Sequence, residues 1–156
     1  MNKVIRAFAL EDKVRILAVD TSSLVEQTRK MHKLYPTSAA ALGRTLSVAS
    51  ILGSLLTDDK EKIRVEIRGD GPLGHIFVDA DAKGNVRGLV GNPQILMMNE
   101  DNGKLDVGGA VGAGMLKVVR LVEGRDPFVS TVPLISGEIG DDFAYYFAQS
   151  EQVPSA

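Results

Sequence analysis

Between Ile63 and Arg68 the chain alternates apolar and charged residues without a break. Ile63, Val65 and Ile67 fall on one face, and Arg64, Glu66 and Arg68 on the other. A period of two is that of a half-buried β-strand. After Arg68–Gly74 (RGDGPLG) comes a second strand-like run, HIFVDA from His75 to Ala80. An AKGN turn then leads to a third, Val86–Val90 (VRGLV), so an antiparallel meander is predicted. Two more strands are expected near the start, Val4–Ala9 and Val14–Asp20, joined as a hairpin by the polar EDK turn. KVVRLV (Lys117–Val122) and FVSTVPLI (Phe128–Ile135), with EGRDP between them, complete the set.

Elsewhere the period lengthens to that of a helix. Ser23 followed by Glu26 has capping-box spacing. Leu24, Thr28, Met31 and Tyr35 then form one stripe beside Val25 and Leu34. Pro36 is expected to end this helix, and Thr37 or Ser38 to cap the next. That second helix, Ser38–Leu56, is apolar around most of its circumference. Its small residues, among them Ala39, Gly43, Ser47, Ala49 and Gly53, allow a neighbour to pack closely. A third, short helix is expected within Ser136–Ser150. Asp141 and Asp142 favour its first turn, and Phe143, Tyr146 and Phe147 form its apolar face. Strands dominate and helices come in blocks rather than alternating with strands. The fold class is therefore α+β, antiparallel sheet packed with about three helices, in one domain spanning residues 1–156.

Composition narrows the functional classes. Lys and Arg total 18 against 20 Asp and Glu, a net charge of −2, and a nucleic-acid binder usually carries a basic excess. There is no cysteine, so neither a disulfide nor a thiolate-ligated zinc can form within these residues. Ser38–Leu56 approaches membrane-spanning length but contains Arg44. A central Arg costs about 2.5–3.5 kcal/mol in insertion assays, so a buried helix is expected. The start, MNKVIRAFALEDKVRI, has no apolar core long enough for a signal peptide, and a cytoplasmic location is expected.

Candidate chemistry is sparse. A phosphate loop presents several backbone N–H groups to one anion at a helix N-terminus, whereas RGDGPLG precedes a strand and Pro72 removes a donor. A tight turn is the better reading. Gly109, Gly112 and Gly114 have G-x-x-G-x-G spacing, not the dinucleotide order, and are expected to form bulges or close backbone approaches in a sheet. His32 lies among Lys30 and Lys33 on a solvated face. His75, Asp79 and Asp81 share a strand face and could form a weak metal cluster, although an exposed face suits them better. The adjacent pairs Asp58-Asp59 and Asp141-Asp142 look like loop solvation and helix capping. No catalytic, cofactor-binding or metal residue is assigned.

The ordered motifs carry more. RAF (Arg6–Phe8), PTSAAALGRTL (Pro36–Leu46), GDGPLG, GNVRG (Gly84–Gly88), VGAGML and the ending YYFAQSEQVPSA run the length of the chain. In this set the chain resembles the redox-regulated bacterial heat-shock protein of thirty-three kilodaltons, a family of holdase chaperones. The resemblance implies a non-enzymatic protein that binds unfolding clients under oxidative and heat stress and dimerises through this domain. In that family a C-terminal Cys-x-Cys and Cys-x-x-Cys set holds zinc, and its oxidation exposes the client-binding surface. Without a cysteine, no metal ligand carries over to this chain. The chain is therefore expected to be the client-binding and dimerisation domain, incomplete at its C-terminal end, with the redox switch absent. Expected partners are unfolded proteins and a homodimer, a domain-swapped dimer, or the missing C-terminal fragment, with no nucleic acid or membrane. Client contacts are assigned to no residue. The rival expectation is a small-ligand or anion-binding enzyme domain built on the glycine loops and the His75/Asp79/Asp81 face.

Overall fold

The computed structural model describes residues 3–156. A hairpin of β1 (Lys3–Ala9) and β2 (Val14–Asp20) opens the chain, followed by α1 (Ser22–His32) and α2 (Pro36–Ser54). Then come β3 (Lys62–Gly69), β4 (His75–Asp81), β5 (Val86–Val90), α3 (Val107–Val111), β6 (Gly114–Leu121), β7 (Phe128–Pro133) and α4 (Gly140–Ser150). β1 and β2 form a two-stranded sheet, and the other five strands an antiparallel sheet in the order β5-β4-β3-β6-β7. The α+β class stands, with four helices among the described residues.

The period of two sets the core. Ile63, Val65 and Ile67 are buried, as are Ile76, Val78 and Ala80 on β4, and Leu116 and Val118 on β6. They pack in one cluster with Ala41, Leu42, Leu46 and Ala49 of α2 and with Phe143 and Tyr146 of α4. Truncating one such buried leucine typically costs 2–5 kcal/mol, a rough range. The small residues of α2 do what their size allows. A Cβ on Gly53 would stand 2.7 Å from the Asp81 carbonyl oxygen, and one on Gly43 3.0 Å from Val25 Cγ1, so β4 and α1 both press against bare backbone. α2 touches both sheets, with β1 and β2 against it at one side and β3, β4 and β5 at another.

Five local expectations are corrected. The Ser23/Glu26 capping box does not form. Asp20 Oδ1 instead accepts from the Ser22 N–H and hydroxyl, while Glu26 turns to Arg29 at 2.7 Å and Lys30 at 3.3 Å. The predicted stripe is buried at Thr28 but exposed at Met31, and Tyr35 lies outside α1, immediately before α2. α1 ends before Pro36, at Lys33 in the left-handed region (φ 53°), and Pro36 is the first residue of α2, where its missing N–H costs nothing. Thr37 and Ser38 do not cap α2. Their buried hydroxyls donate to the Met97 and Asn92 carbonyls and accept from the Met97 and Ile95 N–H groups, pinning a distant loop to the helix start. Finally, Val107–Val111 is a helix rather than part of the sheet.

Candidate functional site

The opening glycine turn is zipped to the glycine-rich segment after α3. The Gly71 and Leu73 N–H groups donate to the Val111 and Ala110 carbonyls at 2.9 Å, and Asp70 Oδ1 accepts from the Ala113 N–H at 2.8 Å. Close backbone approach was legible here, although bulges were not its cause. A Cβ on Gly69 would overlap the Val111 carbonyl oxygen, and Gly112 sits at φ 76°, a region costly for other residues. Asp106 caps α3 by accepting from the Gly109 N–H at 2.8 Å. The donors an anion would need are thus spent on the fold.

The structure disperses the candidate polar cluster. His75 stacks on Phe77 with ring centroids 4.5 Å apart, and the Arg68 guanidinium lies 4.7 Å over the same ring. Asp81 Oδ1 instead accepts from the Lys83 and Asn85 N–H groups and shapes the β4–β5 turn. Asp79 takes a fork of two bonds from Arg64, at 2.7 and 3.1 Å, and a further contact from Arg87 at 3.4 Å. Hydrogen bonds from Arg64 hold the Asp79 carboxyl below the usual carboxylate range, against the opposing effect of burial. The folded pKa is then lower than the unfolded one. The pair contributes fully above the unfolded pKa, and its contribution fades as pH falls through the folded value. Urea unfolding between about pH 5 and pH 2 should therefore show a steeper loss of stability for the wild type than for Asp79→Asn, given ordinary carboxylate titration. Parallel profiles would remove this pair from the acid response. His32 is exposed on α1, as expected.

Two carboxylates have partners that sequence reasoning missed. Glu61, placed in a solvated loop by its neighbours, is buried and takes both its bonds from Arg120 Nη2 at 2.8 Å. Arg120 falls on the inner side of β6 by register, opposite Ile63, and a cation there was the available signal. Asp142 is fully buried and gathers four backbone N–H groups, those of Ile135, Ser136, Gly137 and Ile139. A groove of about 580 Å³ lies between the Met98–Asp106 loop and the Arg44–Glu138 pair. Three of its charged side chains are engaged: Glu138 accepts from Arg44 at 2.6 Å and from the Gly108 N–H at 3.0 Å, and Asp106 is the α3 cap. Among the described residues, no group of three His, Cys, Asp or Glu side chains could hold a metal ion.

Exposed surface is where the molecule is unusual. On the hairpin, Ile5, Ala7, Ala9, Val14, Ile16 and Ala18 share one face by register, and Ile5 and Ile16 are 58% and 51% exposed. The opposite face turns Val4, Leu17 and Val19 inward. Few bonds seat the hairpin, among them Arg6 to the Ser54 carbonyl and Thr21 to Ser47 at 2.7 Å. A two-stranded sheet with an uncovered apolar face is marginal in water by itself. The outer face of the five-stranded sheet is the other uncovered surface, mixed in cations and apolar side chains. No helix among the described residues is long and apolar enough to cross a membrane.

These features define an α+β domain whose uncovered sheet faces outweigh any chemical centre. The Hsp33 protein family matches residues 2–156, and the chain belongs to it. The chain is 49% identical over 156 residues to a 33 kDa chaperonin of Alkaliphilus metalliredigens, covering 99% of this chain and 53% of that protein. It is 50% identical over 155 residues to a 33 kDa chaperonin of Nostoc punctiforme, covering 99% and 52%. The crystal structure of the Thermotoga maritima 33 kDa chaperonin superposes with a TM-score of 0.91 at 41% identity, covering 97% of this chain and 52% of that one. The chain thus spans about half the length of the relatives it matches.

Proposed function

We propose that this chain is the polypeptide-binding part of a cytoplasmic holdase, which captures unfolding proteins in heat or oxidative stress and keeps them from aggregating. The observation that carries the reading is the bare apolar face of the β1–β2 hairpin, on a member of a family whose relatives are named chaperonins. Exposed segments of an unfolding client are apolar and have free backbone groups. An open sheet edge with an apolar face offers both kinds of partner. The same face supports association with a second copy or with the half of the family's length that lies outside this chain. The family's zinc finds no ligand set here, since there is no cysteine and no metal-competent cluster among the described residues, and no step is routed through it.

Light scattering of a heat-aggregating enzyme tests the reading. Roughly stoichiometric chain should suppress aggregation equally with and without peroxide, because no thiol is present to respond. Ile16→Asp should weaken suppression and shift the chain towards monomer in sedimentation. A peroxide-dependent gain, or full suppression by Ile16→Asp, would contradict it.

A further inference from the structure

We propose that the outer face of the five-stranded sheet is a second docking surface that selects acidic, apolar-rich unfolded segments. The proposal rests on the client-binding reading above. By register this face carries Lys62, Arg64, Arg68, Arg87 and Lys117 against Glu66, Asp79 and Asp81, a cationic surplus on a chain whose net charge is −2. Height matters more than the count. The carboxylates are sunk between strands and already paired, with Asp79 and Glu66 side chains only 27% and 17% exposed. The cations stand above them, Arg87 at 86%, Arg68 at 64% and Arg64 at 47%. A segment laid across the sheet therefore meets positive charge first. Between the cations it meets Phe77, Leu89, Met115 and Val129, the last three well exposed.

The face thus complements a chain that alternates carboxylates with apolar side chains, and a segment rich in Lys would meet the like charge of Arg87 and Lys117, which stand above their sunken partners Asp79 and Glu66. Complementary charge acts mainly on specificity and encounter rate, and is screened by salt. The hairpin face carries one opposed pair of charges at its end, Lys3 and Asp20, and is otherwise apolar, so it has no such preference by itself.

The probes are two labelled peptides of equal length and apolar content, one alternating Val/Leu with Glu and the other with Lys. Fluorescence anisotropy should give about tenfold tighter binding of the Glu peptide at low salt, with the gap closing as salt rises and the Debye length shrinks. The double variant Arg87→Glu, Lys117→Glu, checked for an unchanged urea midpoint, should reverse the preference. Equal affinities, or a preference untouched by the charge reversal, would overturn the proposal. Tighter binding of a single-stranded oligonucleotide than of the Glu peptide would overturn the polypeptide assignment. A concentration-dependent dimer abolished by the double variant would assign the face to a second copy instead. If aggregation is still suppressed with no charge preference, this inference alone fails. If neither peptide binds and suppression is absent, the holdase reading fails with it.

Discussion

Asp142→Ala should lower stability by about 3–5 kcal/mol, because charge-assisted bonds to a buried carboxylate are strong and their donors would be stranded. Asp142 Oδ1 accepts from Ile135 at 2.6 Å, Ser136 at 3.0 Å and Gly137 at 3.2 Å, and Oδ2 accepts from Ile139 at 2.9 Å. The carboxylate sits in the third position of α4 and reaches back across the whole β7–α4 connection. It fixes a turn in which Ile139 itself adopts φ 76°, a strained value for an Ile. Without the carboxylate, four N–H groups lose their acceptor and the strain has no counterweight. Truncation should detach α4, and with it Phe143 and Tyr146, from the core. Asp142→Asn keeps one acceptor oxygen and should recover part of the loss. Asp141→Ala, at an exposed site one residue earlier, should stay within about 0.5 kcal/mol. Urea titrations of the three variants measure this directly, and equal midpoints for Asp141→Ala and Asp142→Ala would refute the anchoring role.

Gly114→Ala is expected to be comparably damaging, about 3 kcal/mol or more, because overlap with backbone cannot be relieved by a rotamer change. A Cβ at Gly114 would lie inside the Arg68 carbonyl oxygen, its neighbour across the β3–β6 ladder, with the Gly69 Cα close behind. Relief requires the end of that ladder to open, which also unzips the Asp70–Ala113 bonds. Gly84→Ala meets no neighbouring atom, so only its positive φ opposes it, at roughly 1 kcal/mol. A thermal melt comparing the two separates crowding from backbone strain. If Gly114→Ala melts with the wild type, the contact is looser than the structure shows.

Much of the architecture was legible because β3 and β4 obey a strict alternation that only one face burial satisfies. The motif order was legible too, from Arg6–Phe8 to the final Ala156, and it carries the family resemblance without any structure. Helix α3 was hidden because two adjacent glycines between valines give Val-Gly-Gly-Ala-Val a low helix propensity, and its formation depends on the Asp106 cap and on burial of Val107, Ala110 and Val111. Of the candidate site, the sequence showed which residues share a strand face but not what stood opposite. His75, Asp79 and Asp81 lie in line as expected, yet cross-strand register hands Asp79 to Arg64 and leaves His75 to Phe77. Burial of Asp142 and Glu61 was invisible for the same reason: their partners are distant in sequence or belong to the backbone.

Since α2 is wedged between the two sheets, each sheet rests on the same rod. On the reading proposed above, a polypeptide gripping the hairpin would tighten its seat at Ser47 and Ser54. The opposite flank of that rod, at Leu42, Ala49 and Gly53, is the floor of the larger sheet. Occupancy on one side should therefore slow amide exchange on the other, so that cargo makes its carrier stiffer well away from the grip.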